Sequence, residues 1–272
     1  MSPLAISGHF IDGPKGKLFV LLQRPPYRPS RSVLVVPPFA EEMNKCRRMI
    51  AAVGFHLAER GLATVVPDLY GTGDSGGDFT DADWDTWRGD VATVASWCQA
   101  SGYVVSGLLA IRLGAALAAA ALQSGDLPKV SRTVLWQPVF DGGKFLTHFL
   151  RLRIAATMQE GRIETSKDLR ARLAAGEALE VAGYGLTPRL AADLESVKAQ
   201  KHLPDGFGTL QWIELSRDVN ATSAAAPQLN DSTPAPKQSQ NAIRVRGAPF
   251  WSTTEIVVNR EVVAMTVGHL CQ

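Results

Sequence analysis

The sequence contains few residues that could build a disulfide framework or a metal centre. Its 272 residues include five histidines and three cysteines, Cys46, Cys98 and Cys271. The number of cysteines is odd, no two of them form a CxxC pair, and the histidines are scattered along the chain. A disulfide-stabilised fold and a structural zinc site are therefore both unexpected. We expect the protein to use neither a metal nor a cofactor.

An excess of one charge and long apolar runs are also missing. The chain has 28 basic and 26 acidic residues, a net charge of +2, whereas a dedicated nucleic-acid binder carries a clustered basic excess. No apolar run approaches the ~20 residues that cross a bilayer. Residues 1–10 lack the charged and apolar regions of a secretory signal. We expect a cytoplasmic protein with no membrane span and no nucleic-acid partner.

Short β-rich runs alternate with longer helical stretches along most of the chain. This alternation predicts an α/β fold with a mostly parallel central sheet flanked by helices, built as a single domain over 1–272. The predicted strands cover 4–10, 17–23, 32–36, 63–67, 103–111, 132–139, 210–215 and 242–245. The predicted helices of this core cover 44–60, 83–99, 112–123 and 259–270.

Two segments depart from this alternation. Residues 142–205 have a helical pattern throughout with few strand signals, which predicts an inserted helical cap. Residues 220–241 are mostly alanine, serine, threonine, proline, glutamine and asparagine, with almost no large apolar side chain. Such a stretch cannot bury enough surface to offset its ordering entropy, so we expect a flexible polar loop there.

The sharp turn after the predicted strand 103–111 is a natural place for a nucleophile. In α/β-hydrolases this turn is the nucleophile elbow, with a small residue on each side of the nucleophile. Here the five residues are Ala110-Ile-Arg-Leu-Gly114, so the flanking small residues are present but Arg112 stands at the centre. A guanidinium stays protonated and cannot attack a carbonyl carbon.

Two interpretations of Arg112 follow from its place at a helix N-terminus, where a cation is unfavourable without a partner. It could form a structural salt bridge with Glu41, Glu42 or Asp141. It could instead receive a carboxylate or phosphate ligand, using its guanidinium together with backbone N–H groups.

Other candidate catalytic groups are poorly placed in the sequence. Residues 73–77 spell Gly-Asp-Ser-Gly-Gly, but Ser75 follows a turn-rich segment, so we interpret it as a residue of a solvent-facing loop. Residues 246–251, after the last predicted strand, contain no histidine base. Cys46 lies among three cations near a helix start, which would lower its pKa and make it a candidate nucleophile. The histidines considered and set aside as catalytic groups are His56, His148, His202 and His269.

Several segments together resemble one protein family. They are Val36–Met49, Pro67–Gly76, Ile111–Gly114, Leu135–Pro138 and Phe149–Arg153. The chain resembles the exosortase A system-associated hydrolases of type 2, in the α/β-hydrolase superfamily. The resemblance implies an α/β-hydrolase fold with a helical cap, an elbow arginine as a family trait, and a serine more often than a cysteine at position 46. It also implies an association with exopolysaccharide production and the sorting of PEP-CTERM proteins.

An oxyanion-binding pocket could remain although the nucleophile is missing. The α/β-hydrolase oxyanion hole uses the N–H after the nucleophile and one from the loop after the third strand. These would be the N–H of Leu113 and that of Phe39 or Ala40. The further residues expected to line the pocket are Glu41, Glu42, Asn44, Gln137 and Trp251. Glu41 and Glu42 could equally be first-turn acids of a helix, Gln137 a partner of backbone groups, and Trp251 part of the core.

Three functions remain open. The chain could be a catalytically silent binder of a small acyl or anionic ligand. It could be an ester or thioester hydrolase that uses Cys46, or a water activated by Glu41. It could be a scaffold for envelope polysaccharide machinery. Expected protein partners are members of the exosortase system and, as an alternative, a second copy of the chain in a homodimer.

Overall fold

An eight-stranded sheet forms the centre of the molecule. The computed structural model describes residues 4–198, 203–218 and 242–272. The sheet order is β1-β2-β4-β3-β5-β6-β9-β10; β1 and β2 are antiparallel to their neighbours and the other strands are parallel. Its strands are β1 (Ala5–Asp12), β2 (Lys17–Arg24), β3 (Arg31–Val36), β4 (Ala63–Pro67), β5 (Val104–Ile111), β6 (Arg132–Trp136), β9 (Thr209–Ser216) and β10 (Ile243–Arg246). The predicted α/β architecture is confirmed.

Helices cover both faces of the sheet. They are α1 (Glu41–Glu59), α2 (Trp84–Ala100), α3 (Gly114–Gln123), α4 (Gly142–Gln159), α5 (Ser166–Ala174), α6 (Pro188–Ser196) and α7 (Arg260–Leu270), with a 3₁₀ turn at Phe79–Asp81. Among the residues the structure describes, none of these helices is both long and apolar enough to cross a membrane.

The central strand β5 shows how the two layers of core are formed. Successive side chains of a strand point to opposite faces of the sheet. Leu108 and Ala110 pack into the layer beneath α2 and α3, whereas Leu109 and Ile111 pack into the layer beneath α1 and α7. Burial on both faces explains why the run of apolar residues in β5 is nearly continuous. This run ends at Ile111, where the chain turns into the elbow.

The segment between β6 and β9 contains a strand pair that the sequence pattern did not reveal. It comprises α4, α5, the antiparallel hairpin β7 (Leu179–Val181) and β8 (Tyr184–Leu186), and α6. The prediction of a wholly helical segment was therefore wrong at the hairpin. Its turn residues, Ala182 and Gly183, both have positive φ, as a tight hairpin turn requires. Three-residue strands are too short to show a period in the sequence.

Two predicted boundaries move for local reasons. The first core helix begins at Glu41 and not at Asn44, because its N-cap is Ala40, which offers no capping side chain as a signal. The predicted strand 132–139 ends at Trp136, because Gln137 has a φ of 41°. The predicted polar loop 220–241 and residues 199–202 of the predicted cap lie outside the described residues.

Candidate functional site

Backbone strain is concentrated at the carboxyl ends of neighbouring strands. Of the described residues, four other than glycine have positive φ, and three of them are Ala40 (50°), Arg112 (55°) and Gln137 (41°). These three follow β3, β5 and β6, which lie side by side in the sheet. L-residues with side chains rarely adopt this conformation, and such strain clusters at functional sites. The strain therefore marks this edge of the sheet as the candidate site.

The elbow itself is tightly fixed. The Arg112 N–H donates to Trp136 O at 2.9 Å, and the Arg112 carbonyl accepts from Val139 N at 3.0 Å. A Cβ at Gly114 would lie 2.4 Å from Pro37 O, so only glycine allows α3 to start this close to the loop after β3. This close approach brings the backbone of that loop beside the backbone of the elbow.

The Arg112 side chain is held by three contacts. Its Nε donates to Glu42 Oε1 at 3.0 Å, and its Nη1 donates to Gln137 O at 3.3 Å. Its Cζ lies 4.7 Å from the centre of the Trp251 ring. Of the three acidic partners considered for Arg112, Glu42 makes the salt bridge, whereas Asp141 accepts from Lys144 N as the N-cap of α4. The elbow arginine is thus part of a mostly buried ion pair.

Two carboxyl groups beside this ion pair are only partly satisfied. Within the described part of the chain, Oε2 of Glu41 and Oε2 of Glu42 are buried without a hydrogen-bond partner. Burial raises the pKa of Glu42 to about 7, because desolvation outweighs the attraction of Arg112. Burial also raises the pKa of Glu41, against hydrogen bonding from its own backbone N–H and the charges of Lys45 and Arg112.

A pocket of about 30 Å³ opens on the other side of the elbow, toward α2 and α3. Its lining includes Ala40, Leu69, Trp84, Trp87, Leu113 and Leu117. The backbone N–H groups of Phe39, Ala40 and Leu113 have no acceptor among the described residues. They lie at the positions that form the oxyanion hole in proteins of the α/β-hydrolase fold.

The carboxylate and hydroxyl side chains of this pocket are already engaged. Asp68 accepts from Arg47 Nη2 at 2.8 Å and from Asp74 N at 3.0 Å. Thr72 Oγ1 donates to Leu69 O at 2.7 Å. The donors left for a ligand are therefore backbone N–H groups and the indole N–H of Trp84, among mostly apolar side chains.

The structure separates the predicted site residues into two groups. Phe39, Ala40 and Leu113 line the apolar pocket, while Glu41, Glu42, Arg112, Gln137 and Trp251 form the polar cluster on the α1 side. Gln137 also accepts from Leu215 N at 2.8 Å through its Oε1, so this side chain satisfies a backbone group. Asn44 is exposed, and its Nδ2 donates to Tyr184 OH at 3.3 Å.

Cys46 does not have the properties expected of a nucleophile. It is fully buried in the core layer beneath α1 and α7. Burial and the charge of Glu42 raise the pKa of its thiol, although Arg112 opposes them. The prediction that neighbouring cations would lower this pKa was wrong, because on the folded helix desolvation exceeds their effect.

Ser75 is engaged by the backbone. Its Oγ donates to Asp68 O at 2.5 Å and accepts from Phe19 N at 2.8 Å. Ser75 is half-buried and not solvent-facing as predicted, because this pair of hydrogen bonds ties its loop to β2. The Ser75 hydroxyl therefore has a structural role, linking the backbone of Asp68 to that of Phe19.

His56 and His269 have partners outside these groups. His56 contacts Glu59 at 2.8 Å, and His269 Nε2 contacts Thr209 O at 2.9 Å. His148 is mostly exposed on α4, and partial desolvation together with the charges of Arg151 and Arg112 lowers its pKa. His202 lies outside the described residues.

Several pocket residues were not found from the sequence. Leu69, Trp84, Trp87 and Leu117 come from the loop after β4 and from two helices, and each reads as ordinary core in its own segment. No group of three or more histidine, cysteine, aspartate or glutamate side chains placed to hold a metal occurs in the described ranges.

Comparisons with known proteins agree with this architecture. A family model described as X-Pro dipeptidyl-peptidase (S15 family) matches residues 12–142, somewhat less than half of the chain. The search of curated proteins found no match. Est1E from Butyrivibrio proteoclasticus with bound ferulic acid superposes with a TM-score of 0.64 at 16% identity, over 96% of each chain.

Two further solved structures have the same fold. A soluble variant of monoglyceride lipase from Saccharomyces cerevisiae, in complex with a substrate analogue, gives a TM-score of 0.61 at 13% identity over 98% of this chain and 94% of that chain. An α/β serine hydrolase homologue from Coxiella burnetii gives 0.55 at 15% identity over 96% of each chain. At such identities the likeness concerns the fold, and it is the α/β-hydrolase fold.

Proposed function

We propose that this α/β-hydrolase-fold protein binds a small carboxylate or related oxyanion at the backbone N–H groups of Ala40 and Leu113, without serine hydrolysis. One observation carries the proposal. These donors are unclaimed and border a pocket whose carboxylate and hydroxyl side chains are engaged, while the elbow side chain is held in the Arg112–Glu42 ion pair.

The helix end beside the pocket favours an anion, and Arg47 pairs with the one carboxylate of the lining, Asp68. Leu113 is the N-cap residue of α3, so the partial positive charge of that helix end adds to the free N–H groups. A carboxylate would use its oxygens as acceptors there, and its apolar remainder would face Leu69, Trp87 and Leu117. A cation or a hydrogen-bond donor would find no free acceptor among those side chains.

The geometry argues against hydrolysis by the usual triad. That mechanism needs a nucleophile at the elbow and a histidine after the last strand. Here Arg112 stands at the elbow, and Trp251, in the segment after β10, covers its guanidinium. Est1E from Butyrivibrio proteoclasticus binds ferulic acid, a carboxylic acid, and this supports an acid as the ligand class proposed for this pocket.

The finer family assignment is part of this proposal. The five segments that resemble exosortase A system-associated hydrolases of type 2 include the elbow arginine and the loop that carries Ala40 and Glu42. On that basis we propose a cytoplasmic accessory role beside exopolysaccharide and PEP-CTERM machinery. We also propose that residues 142–205 act as a cap over the pocket. In support, the ring centres of Phe145 and Phe149 of α4 lie 5.2 and 5.1 Å from that of Phe39.

Calorimetry with acetate and propionate tests the binding, and p-nitrophenyl acetate tests the absence of turnover. Thr72→Phe, which fills the pocket, should abolish binding. Thr93→Phe is the matched control, because Thr93 is also half-buried and donates to a backbone carbonyl but lies on α2 outside the pocket lining. Binding that survives Thr72→Phe unchanged would contradict the proposed site.

A second candidate function is favoured by the partly satisfied carboxyl groups. A Glu42 pKa of about 7 suits a general base at neutral pH, and Glu41 also has a raised pKa. Either could activate a water against an ester or thioester. An ester and thioester screen decides, with Glu41→Gln, Glu42→Gln and Cys46→Ala as variants. Turnover lost in a glutamine variant but kept in Cys46→Ala would replace the binding function by this one.

A further inference from the structure

Strand β1 forms one edge of the central sheet, and its outer side has no partner strand among the described residues. It is eight residues long, Ala5–Asp12, and pairs with β2 on its inner side. Native proteins protect an edge strand by keeping it short, or by charged side chains, proline or a covering segment. The opposite edge of the sheet has such protection, because β10 has four residues and carries Arg244 and Arg246.

The sequence of β1, AISGHFID, lacks these protections. It contains no proline, and its one charged residue, Asp12, lies at the end of the strand and pairs with Lys17 at 2.6 Å. Two large apolar side chains, Ile6 and Phe10, are 59% and 64% exposed. A long edge strand with exposed apolar side chains is a template for pairing with a further strand.

The hydrogen-bonding pattern shows which backbone groups of β1 are free. In an antiparallel pair, every second residue exchanges hydrogen bonds with the partner strand. Gly13 N donates to Gly16 O at 2.8 Å, which identifies the odd-numbered residues of β1 as those bonded to β2. On the other side of β2, Asp68 N donates to Phe19 O at 2.9 Å, as the same alternation requires. The residues whose N–H and C=O groups point outward are therefore Ile6, Gly8, Phe10 and Asp12.

A second copy of β1 matches this edge in one register. When two β1 strands pair antiparallel about a two-fold axis at Gly8, Ile6 of each copy lies opposite Phe10 of the other. These three residues then exchange about six hydrogen bonds, within the ~5–15 of a typical interface. Moving the axis by one residue would place Ile6 opposite either Gly8, which has no side chain, or Asp12, which is charged. Cross-strand apolar contact therefore favours the axis at Gly8.

Both faces of the strand are compatible with this pairing. On the exposed apolar face, a Cβ at Gly8 would lie 2.7 Å from Phe19 Cε2, so the Phe19 ring covers the glycine. The rings of Phe10 and Phe19 lie 5.4 Å apart between centres, and the pairing would extend this aromatic surface across both copies. On the other face Ser7 Oγ and His9 Nε2 bond each other at 2.8 Å, so these polar groups keep a partner when a strand docks.

We propose that two copies of the chain pair through β1 into a closed two-fold dimer with one continuous sheet. Each copy has a single β1, and the pair uses the outer side of both, so association ends at two copies. The proposal assigns a surface to the homodimer that the sequence left as an alternative. It does not depend on the ligand proposed for the elbow, because it rests on β1 alone.

Light scattering after size-exclusion chromatography tests the dimer on the full chain. The unaltered protein should have twice the mass of one chain and should dissociate on dilution. Ile6→Lys should weaken dimerisation at least about tenfold, because both copies lose an apolar contact with Phe10 and place a lysine against it. Ile256→Lys is the matched control, since Ile256 is 65% exposed and lies in the loop before α7. It should leave the dimer unchanged.

Phe10→Pro breaks the interface in a different way. The N–H of Phe10 points outward, so proline removes a donor to the other copy and no hydrogen bond to β2. This variant should be monomeric at concentrations at which the unaltered protein is a dimer. Its circular dichroism should match that of the unaltered protein.

Cysteine cross-linking tests the register, in a Cys271→Ser background. The double variant Ile6→Cys with Phe10→Cys should form a covalent dimer on oxidation, because opposed Cα atoms lie ~5.5 Å apart and a disulfide spans that distance. Each single variant should stay uncrosslinked. Its two cysteines would be separated by four residues along the paired strands, ~13 Å, which is too far for a disulfide.

The outcomes decide each part of the proposal. A monomeric mass at every concentration overturns it, and so does a dimer that Ile6→Lys and Phe10→Pro both leave intact. Masses that grow beyond two copies overturn the closed pair. A cross-link that a single cysteine variant forms as readily as the double variant overturns the register.

Discussion

The guanidinium of Arg112 lies 4.7 Å from the ring centre of Trp251. In the α/β-hydrolase architecture the first position belongs to the nucleophile and the second lies in the segment that supplies the base. Here both positions are occupied, and their side chains pack on each other in a cation–π contact. The two positions that carry a catalytic pair in that architecture thus form a structural contact here. Glu42 adds an ion pair to it, with Oε1 at 3.0 Å from Arg112 Nε.

Removing Arg112 should destabilise the fold. Arg112→Ala leaves Glu42 buried without its cation, and breaking a buried pair on one side costs about 3–5 kcal/mol. Urea unfolding at pH 8 measures the loss. The double variant Arg112→Ala with Glu42→Gln should recover much of it, because no buried charge remains. Equal losses in the single and double variants would show that packing on Trp251 dominates.

Glu42 should make the stability depend on pH. Its pKa is near 4.5 in the unfolded chain and about 7 in the folded protein. Between these values the folded protein binds more protons, so the free energy of unfolding falls as the pH rises. Glu42→Gln removes this contribution. The free energy of unfolding of the variant, relative to that of the unaltered protein, should therefore rise by on the order of 1–3 kcal/mol from pH 4.5 to pH 7.

Denaturant unfolding at a series of pH values checks this, with Glu59→Gln as the control at the exposed end of the same helix. Burial also raises the pKa of Asp90 to about 6, so Asp90 likewise makes the free energy of unfolding fall as the pH rises. The unaltered protein and Glu42→Gln share this contribution. A Glu42→Gln curve parallel to that of the unaltered protein would contradict the prediction.

The fold was predictable because its signals are local, whereas the site was only partly predictable. The apolar run 103–111 and the small residues around Arg112 indicate a central strand and an elbow without any tertiary information. The pairing of Arg112 with Glu42 is a contact between α1 and the elbow, and the sequence left three acidic partners open. The pKa of Cys46 depends on burial, which neighbouring sequence charges do not reveal.

Ala40 should store strain that glycine would release. Its φ of 50° and ψ of −125° suit glycine and are unfavourable for alanine. Ala40→Gly should raise the free energy of unfolding by about 1 kcal/mol, the relief of strain exceeding the added flexibility of the unfolded chain. Ala51→Gly, at an exposed position inside α1, should lower it by about 1 kcal/mol. Urea titration measures both, and a destabilised Ala40→Gly would refute the strain.

The thiols should react in the order of their exposure. Cys46 and Cys98 are buried and Cys271 is half-buried, and burial raises the pKa of all three. A short iodoacetamide pulse at pH 8, read by peptide mass spectrometry, should label Cys271 first and Cys46 only after unfolding in urea. Rapid labelling of Cys46 in the folded protein would revive it as a nucleophile.

Ser75 should matter for stability and not for chemistry. Ser75→Ala removes the hydrogen bonds to Asp68 O and from Phe19 N, which should lower the free energy of unfolding by about 1–2 kcal/mol. Ser252→Ala, at an exposed serine that donates to Pro249 O, should change it much less. A fluorophosphonate probe should label neither serine, because no histidine contacts Ser75 Oγ among the described residues. Labelling that disappears in Ser75→Ala would identify a serine hydrolase at the Gly73–Gly77 motif and displace the elbow as the site.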